Sequence, residues 1–137
     1  MVRRRNDPAV LAAIAAGGAL GAPARYGVAQ LVHAGAGSFP WATFWINVSG
    51  SFALGLVLVV LVARFPPSTF LRPFVATGFL GAYTTYSTFA VETVLLAKDG
   101  AAGMACAYTA ASLVVGLGAA AGGIVLGRRL AGPGPKP

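Results

Sequence analysis

Four apolar runs, at 10–32, 43–62, 74–97 and 104–126, take up most of this 137-residue chain. A helix needs about 20 apolar residues to cross the hydrocarbon core of a bilayer, and each run reaches that length. With 57% hydrophobic and only 9% charged side chains, the chain has too little polar surface to enclose a water-soluble domain of this size. The connections 34–40, 64–73 and 98–103 are short and rich in Gly or Pro, so no soluble domain or cofactor-binding extension fits between the runs. The sequence therefore predicts an all-α membrane protein of four transmembrane helices, one domain spanning 1–137, with tails 1–8 and 132–137 read as disordered.

The formal net charge is +7, but the basic residues flank apolar runs and form no stripe on a soluble face, so nucleic-acid binding is not indicated. Their placement reports orientation instead. In a four-span arrangement Arg3, Arg4, Arg5, Arg64, Arg72, Arg128, Arg129 and Lys136 fall on one side, and only Arg25 and Lys98 on the other. Both termini are then cytoplasmic. Arg3 to Arg5, an apolar run and Ala22-Pro23-Ala24 imitate a signal peptide. A proline in the cleavage triplet and an apolar stretch that continues past Arg25 favour a retained helix. The single Cys106 rules out an internal disulfide and reads as a small buried hydrophobe.

The third run contains TGFLGAYTTYSTF, from Thr77 to Phe89, in which seven residues carry a hydroxyl. Glycine and β-branched threonine are poor helix formers, and non-helical backbone at membrane depth survives only where protein or a water-filled path satisfies its polar groups. A helix break here marks a site. In the second run Thr43, Asn47 and Ser51 recur every four residues and share one helix face, and Tyr108 and Ser112 repeat the spacing in the fourth. A membrane hydroxyl often bonds the backbone carbonyl four residues earlier. The Asn47 amide is not satisfied by one carbonyl and requires a partner helix or an aqueous path.

Two charged residues lie within the runs. Arg25 either snorkels to the headgroups or lines an anion-attracting vestibule. Glu92 either accepts hydrogen bonds from a neighbouring helix or carries protons. Glycines four apart, Gly17 and Gly21, Gly118 and Gly122, Gly123 and Gly127, allow close helix packing and leave room only for a narrow path.

Three blocks, GGALGAPARY (17–26), TFWINVSGSFALG (43–55) and GFLGAYTTYSTF (78–89), together with the four-run length, closely resemble the Fluc (CrcB) family of bacterial fluoride channels. The resemblance implies an antiparallel, dual-topology dimer in the bacterial inner (plasma) membrane. Such a dimer has two fluoride pores along its interface and one central structural Na+ that is not transported, and fluoride leaves the cytoplasm by passive electrodiffusion. By the same resemblance the backbone carbonyls of Gly81 and Thr84 hold the Na+. Asn47, Tyr86 and Phe89 line the fluoride path, as does a polar track of Thr43, Thr85, Ser87, Tyr108 and Ser112. Arg25 is the vestibule arginine and Glu92 the supporting acid. Two positions depart from the family pattern, with Tyr86 standing where phenylalanine is usual and Gly116 where another hydroxyl is often found. The eight-to-two basic bias leaves both a homodimer and a pairing with an oppositely oriented homologue open. A small multidrug or proton-coupled transporter is the alternative, but it calls for an acidic residue in the first run. A non-conducting scaffold would leave the hydroxyl cluster without a purpose.

Overall fold

The computed structural model describes residues 7–32, 38–64 and 69–132. Helix α1, Pro8–Leu31, starts where Asp7 accepts a hydrogen bond from the Ala9 N–H at 3.0 Å, with Pro8 at the first helical position, where a missing N–H costs nothing. The tail read as disordered thus gives way to helix at Pro8, while residues 1–6 and 133–137 lie outside the described residues. Helix α2 is Trp41–Arg64. The third run opens as a π-helical segment, Pro73–Leu80, continues as the single turn α3, Gly81–Tyr83, breaks, and resumes as α4, Tyr86–Lys98. A turn through Gly100, at φ 81°, leads into α5, Ala102–Ala131. Positive φ carries little penalty for glycine, and the same freedom ends α5 at Gly132, φ 74°.

Helices α1, α2 and α5 are long and apolar enough to cross a membrane. No single helix of the third run is, because the break divides it. The described residues are all helical or irregular, without strands.

Glycine decides which helices touch. In lipid there is no hydrophobic gain in bringing helices together, so association depends on close packing between small residues. A Cβ at Gly17 would overlap the Phe74 carbonyl, at Gly21 the Phe79 carbonyl, and at Gly78 the Ile14 carbonyl, which seats α1 backbone-to-backbone on the π-helical segment. Gly55 meets Ala120, Gly123 meets Phe52, and Gly127 meets Leu56 and Val59, which does the same for α2 and α5. Contacts between α2 and α5 advance together along the two sequences, so these two helices run parallel. The third run lies antiparallel to α2, since Thr85 bonds Asn47 and Glu92 bonds Thr43. A Cβ added at Gly118 would meet nothing within 4 Å and one at Gly122 would only touch the Phe52 ring, so neither glycine is required for close backbone packing within the chain.

A small core of Phe44, Leu96, Ala105 and Tyr108, flanked by Phe39, Val48 and Phe89, closes the bundle near the starts of α2 and α5. Outward faces carry large apolar side chains such as Leu20, Leu31, Val62, Val114 and Leu117, as a bilayer-facing surface requires. Cys106 is exposed among Ala102, Ala105 and Thr109 and is not the buried hydrophobe read from the sequence. It occupies an apolar outer face of α5, where its apolar sequence context suits lipid as well as a core.

Candidate functional site at the broken helix

Two residues make the break, Thr84 (φ −77°, ψ 158°) and Thr85 (φ −147°, ψ 115°), both extended. Asn47 on α2 grips the second through both ends of its amide. Its Nδ2 donates to the Thr85 carbonyl at 2.9 Å and its Oδ1 accepts from the Thr85 N–H at 2.8 Å. Thr85 in turn caps α4, with Oγ1 accepting from the Thr88 N–H at 3.2 Å and donating to Thr88 Oγ1 at 2.9 Å. Thr84 turns back, and its N–H and hydroxyl both donate to the Leu80 carbonyl, at 3.0 and 2.9 Å.

These bonds free two carbonyls. In a continuous α-helix the Thr85 N–H would close on the Gly81 carbonyl and the Thr88 N–H on the Thr84 carbonyl. The first N–H goes to Asn47 and the second to the Thr85 hydroxyl, so Gly81 and Thr84 lose their regular partners. Gly81 itself has ordinary helical angles, φ −65° and ψ −34°, and a Cβ there would meet nothing closer than the Ala76 carbonyl at 3.9 Å. Backbone conformation is therefore not what calls for glycine at 81.

Beside the break lies an open cleft of about 380 Å³, with Asn47, Ser51, Gly81, Thr84 and Thr85 as its polar lining and Leu54, Ala76, Leu80, Tyr86, Phe89 and Leu113 as its apolar walls. Gly50 completes the lining, and a side chain there would run into the Thr84 methyl and the Tyr83 ring. The Tyr86 and Phe89 rings are 6.0 Å apart at 43°, and Tyr86 is 81% exposed. Ser87 reaches the edge of the group through a 3.3 Å contact with the Thr85 hydroxyl.

A second cluster sits deeper. Glu92 accepts from Thr43 Oγ1 at 2.9 Å on one oxygen and from the Tyr108 hydroxyl at 2.8 Å on the other, so one carboxylate ties α2, α4 and α5 together. Tyr108 is fully buried, and its ring lies 5.1 Å from that of Phe89, which links this cluster to the cleft wall. The two buried positions Thr43 and Tyr108 thus belong to the Glu92 cluster and are not part of the cleft lining. Ser112 has a buried hydroxyl without a hydrogen-bond partner among the described residues. Arg25 lies on α1, away from the cleft lining, and forms no ion pair among the described residues.

Self-satisfaction of hydroxyls by the preceding turn accounts for Thr84, Thr93 and Thr109, each bonded to the carbonyl four residues earlier. It does not account for Thr43 or Thr85. Reasoning from sequence missed Gly50 and the 2.9 Å hydrogen bond between Ser49 and the Tyr83 hydroxyl. Both lie in the INVSG segment, and the only signal for them was their nearness to Asn47.

Residues 12–124 match the family model described as CrcB-like protein, Camphor Resistance (CrcB). Among curated relatives, the chain is 47% identical over 118 residues to a fluoride-specific ion channel FluC of Acidobacterium capsulatum, covering 85% of this chain and 94% of that protein. It is 42% identical over 122 residues to a FluC of Agrobacterium fabrum, covering 88% and 97%. To a FluC 3 of Streptomyces avermitilis it is 44% identical over 126 residues, which is 92% of this chain and 62% of that protein.

Proposed function

Because this chain belongs to the CrcB-like protein family, we propose that it is a fluoride-specific ion channel, assembled from two antiparallel copies in the bacterial inner membrane. In this reading the third run is the fourth crossing, made in two pieces, and fluoride leaves the cytoplasm down its own gradient. The observation that carries the proposal is the grip of Asn47 on Thr85. It holds a helix open at membrane depth beside a cleft lined by hydroxyls and aromatic rings, which is where irregular backbone in a membrane protein is tolerated.

Each lining group has a task suited to a small, strongly hydrated anion, which must exchange water for close donors. One Asn47 N–H is committed to the Thr85 carbonyl, and the second N–H of the same amide remains to be offered into the cleft. The edges of the Tyr86 and Phe89 rings carry positive partial charge and attract an anion without trapping it. Tyr86 adds a hydroxyl that can donate where phenylalanine could not. Ser87 and Ser112 extend the track, and Arg25 raises local anion concentration at its mouth. The cleft is open along one side, so a second subunit is needed to close it into a path.

The freed carbonyls of Gly81 and Thr84 fit a hard monovalent cation, which prefers oxygen donors. Two from each of two copies would hold a structural Na+. When bound, that ion supplies positive charge against the negative ends of the carbonyl dipoles at the subunit contact. Glu92, bonded by two hydroxyls, is built as a joint between helices, which counts against a proton-coupled exchanger.

The test is fluoride efflux from liposomes carrying the purified chain with sodium present, read by a fluoride electrode. Wild type should empty fluoride and retain chloride, and Phe89→Ile should abolish release. Liposomes that hold their fluoride, or lose both halides alike, would overturn the proposal.

A further inference from the structure

The C-terminal halves of α2 and α5 run side by side, and the glycines that bring them together leave a trough on the outer face of the bundle. The trough has a volume of about 450 Å³; Leu58, Val59, Val62 and Ile124 form its apolar walls and Arg128 lies at one end. Both helices end on the same side, because the Arg64 guanidinium donates to the Leu130 carbonyl. Arg128 and Arg129 lie in the last turn of α5, next to Leu130 in sequence, and neither has an ion-pair partner among the described residues. An apolar trough at membrane depth is filled by hydrocarbon, and unneutralised guanidinium groups where helices leave the bilayer attract anionic headgroups.

We propose that this trough is a binding site for one anionic phospholipid, with an acyl chain between α2 and α5 and its phosphate on Arg128 and Arg129. The charge at one end and the apolar walls along the rest match the two halves of such a molecule. A guanidinium fork matches a phosphate better than a zwitterionic headgroup, whose ammonium offsets the attraction. Arginines that merely snorkelled to water would still attract anionic headgroups, but that attraction would not depend on the trough. The site lies apart from the broken helix and does not depend on what the channel conducts.

Native mass spectrometry of the delipidated full chain, titrated with phosphatidylglycerol and with phosphatidylcholine of identical chains, tests this. Wild type should prefer phosphatidylglycerol roughly tenfold or more, given about fivefold for each juxtamembrane arginine. Arg128→Gln should reduce the preference and Arg128→Gln with Arg129→Gln should erase it, leaving phosphatidylcholine adducts unchanged. Leu58→Trp should fill the trough and remove the tight adduct while helix content, read by circular dichroism, stays the same. Equal binding of the two lipids by wild type would overturn the proposal, as would a preference that survives the double substitution. If Leu58→Trp shifts the oligomeric state and leaves lipid adducts intact, the trough is a subunit contact and the proposal also fails.

Discussion

A helix broken in lipid strands backbone groups that water cannot reach, and at Thr85 the side chain of Asn47 takes both of them. Each such group left unpaired costs about 1–3 kcal/mol. Asn47→Ala should therefore lower the thermal unfolding temperature in detergent as well as stop fluoride release, and an unchanged melting curve would show that the amide serves only the ion. Asn47→Asp should not rescue, because its second oxygen would face the Thr85 carbonyl oxygen where a donor is required. The Glu92 cluster gives a second prediction. Thr43→Val and Tyr108→Phe each remove a hydrogen bond to a carboxylate, about 1.5–3 kcal/mol if it is charged. Because both act on one carboxylate, their effects should not add. A double-mutant cycle should show a coupling of about 0.5–3 kcal/mol, and strict additivity would mean that the cluster does not act as a unit. The sequence made Asn47 conspicuous, since a membrane amide demands several partners. It could not reveal that Thr43 and Tyr108 converge on Glu92, because Thr43 and Glu92 are 49 positions apart and helical spacing speaks only within one helix.

At the level of the elements, the apolar runs were plain in the sequence and the glycines were ambiguous. Gly118 and Gly122, and Gly123 and Gly127, show the same spacing of four. Only the second pair packs tightly against α2, where a Cβ at Gly123 would strike the Phe52 carbonyl and one at Gly127 would crowd Val59. Spacing identifies a smooth face and leaves its occupant unnamed. Gly123→Ala should consequently destabilise the chain by about 1–3 kcal/mol through forced separation of α2 and α5. Gly118→Ala, with open space around it, should be neutral or stabilising by up to about 1 kcal/mol from helix propensity. Equal losses in thermal unfolding would refute the assignment of these two faces. The break was legible as a region, since TTYST is rich in side chains that compete for backbone bonds. The roles inside it were not, because Thr84 and Thr85 are chemically identical and only their neighbours make one bond backward to Leu80 and the other cap α4. The π-helical start, Pro73–Leu80, had no counterpart in the apolar pattern, because a run this uniformly apolar fits several helical periods.

For the whole molecule, Gly81 is the position that one chain leaves unexplained. It is helical, exposed, and free of any neighbour closer than 3.9 Å to an added Cβ, so a single copy would accept a side chain there without strain. Two antiparallel copies that meet at the freed carbonyls of Gly81 and Thr84 would instead bring backbone against backbone, where only hydrogen fits. Gly81→Leu separates these cases. Under the proposed assembly, helix content by circular dichroism stays at the wild-type level, native mass spectrometry shifts the protein from dimer to monomer, and fluoride efflux disappears because the cleft no longer closes. A dimer that persists with Leu at 81 would mean that the subunits meet elsewhere. The partner's identity is decided by the same preparation with tags on the C-terminus. The eight-to-two basic bias of the flanks drives a single orientation if it acts on insertion, and a single orientation found in cells would require an opposed homologue to complete the dimer. A mixed population would mean that the arginines of the tails carry little weight and that one chain supplies both halves.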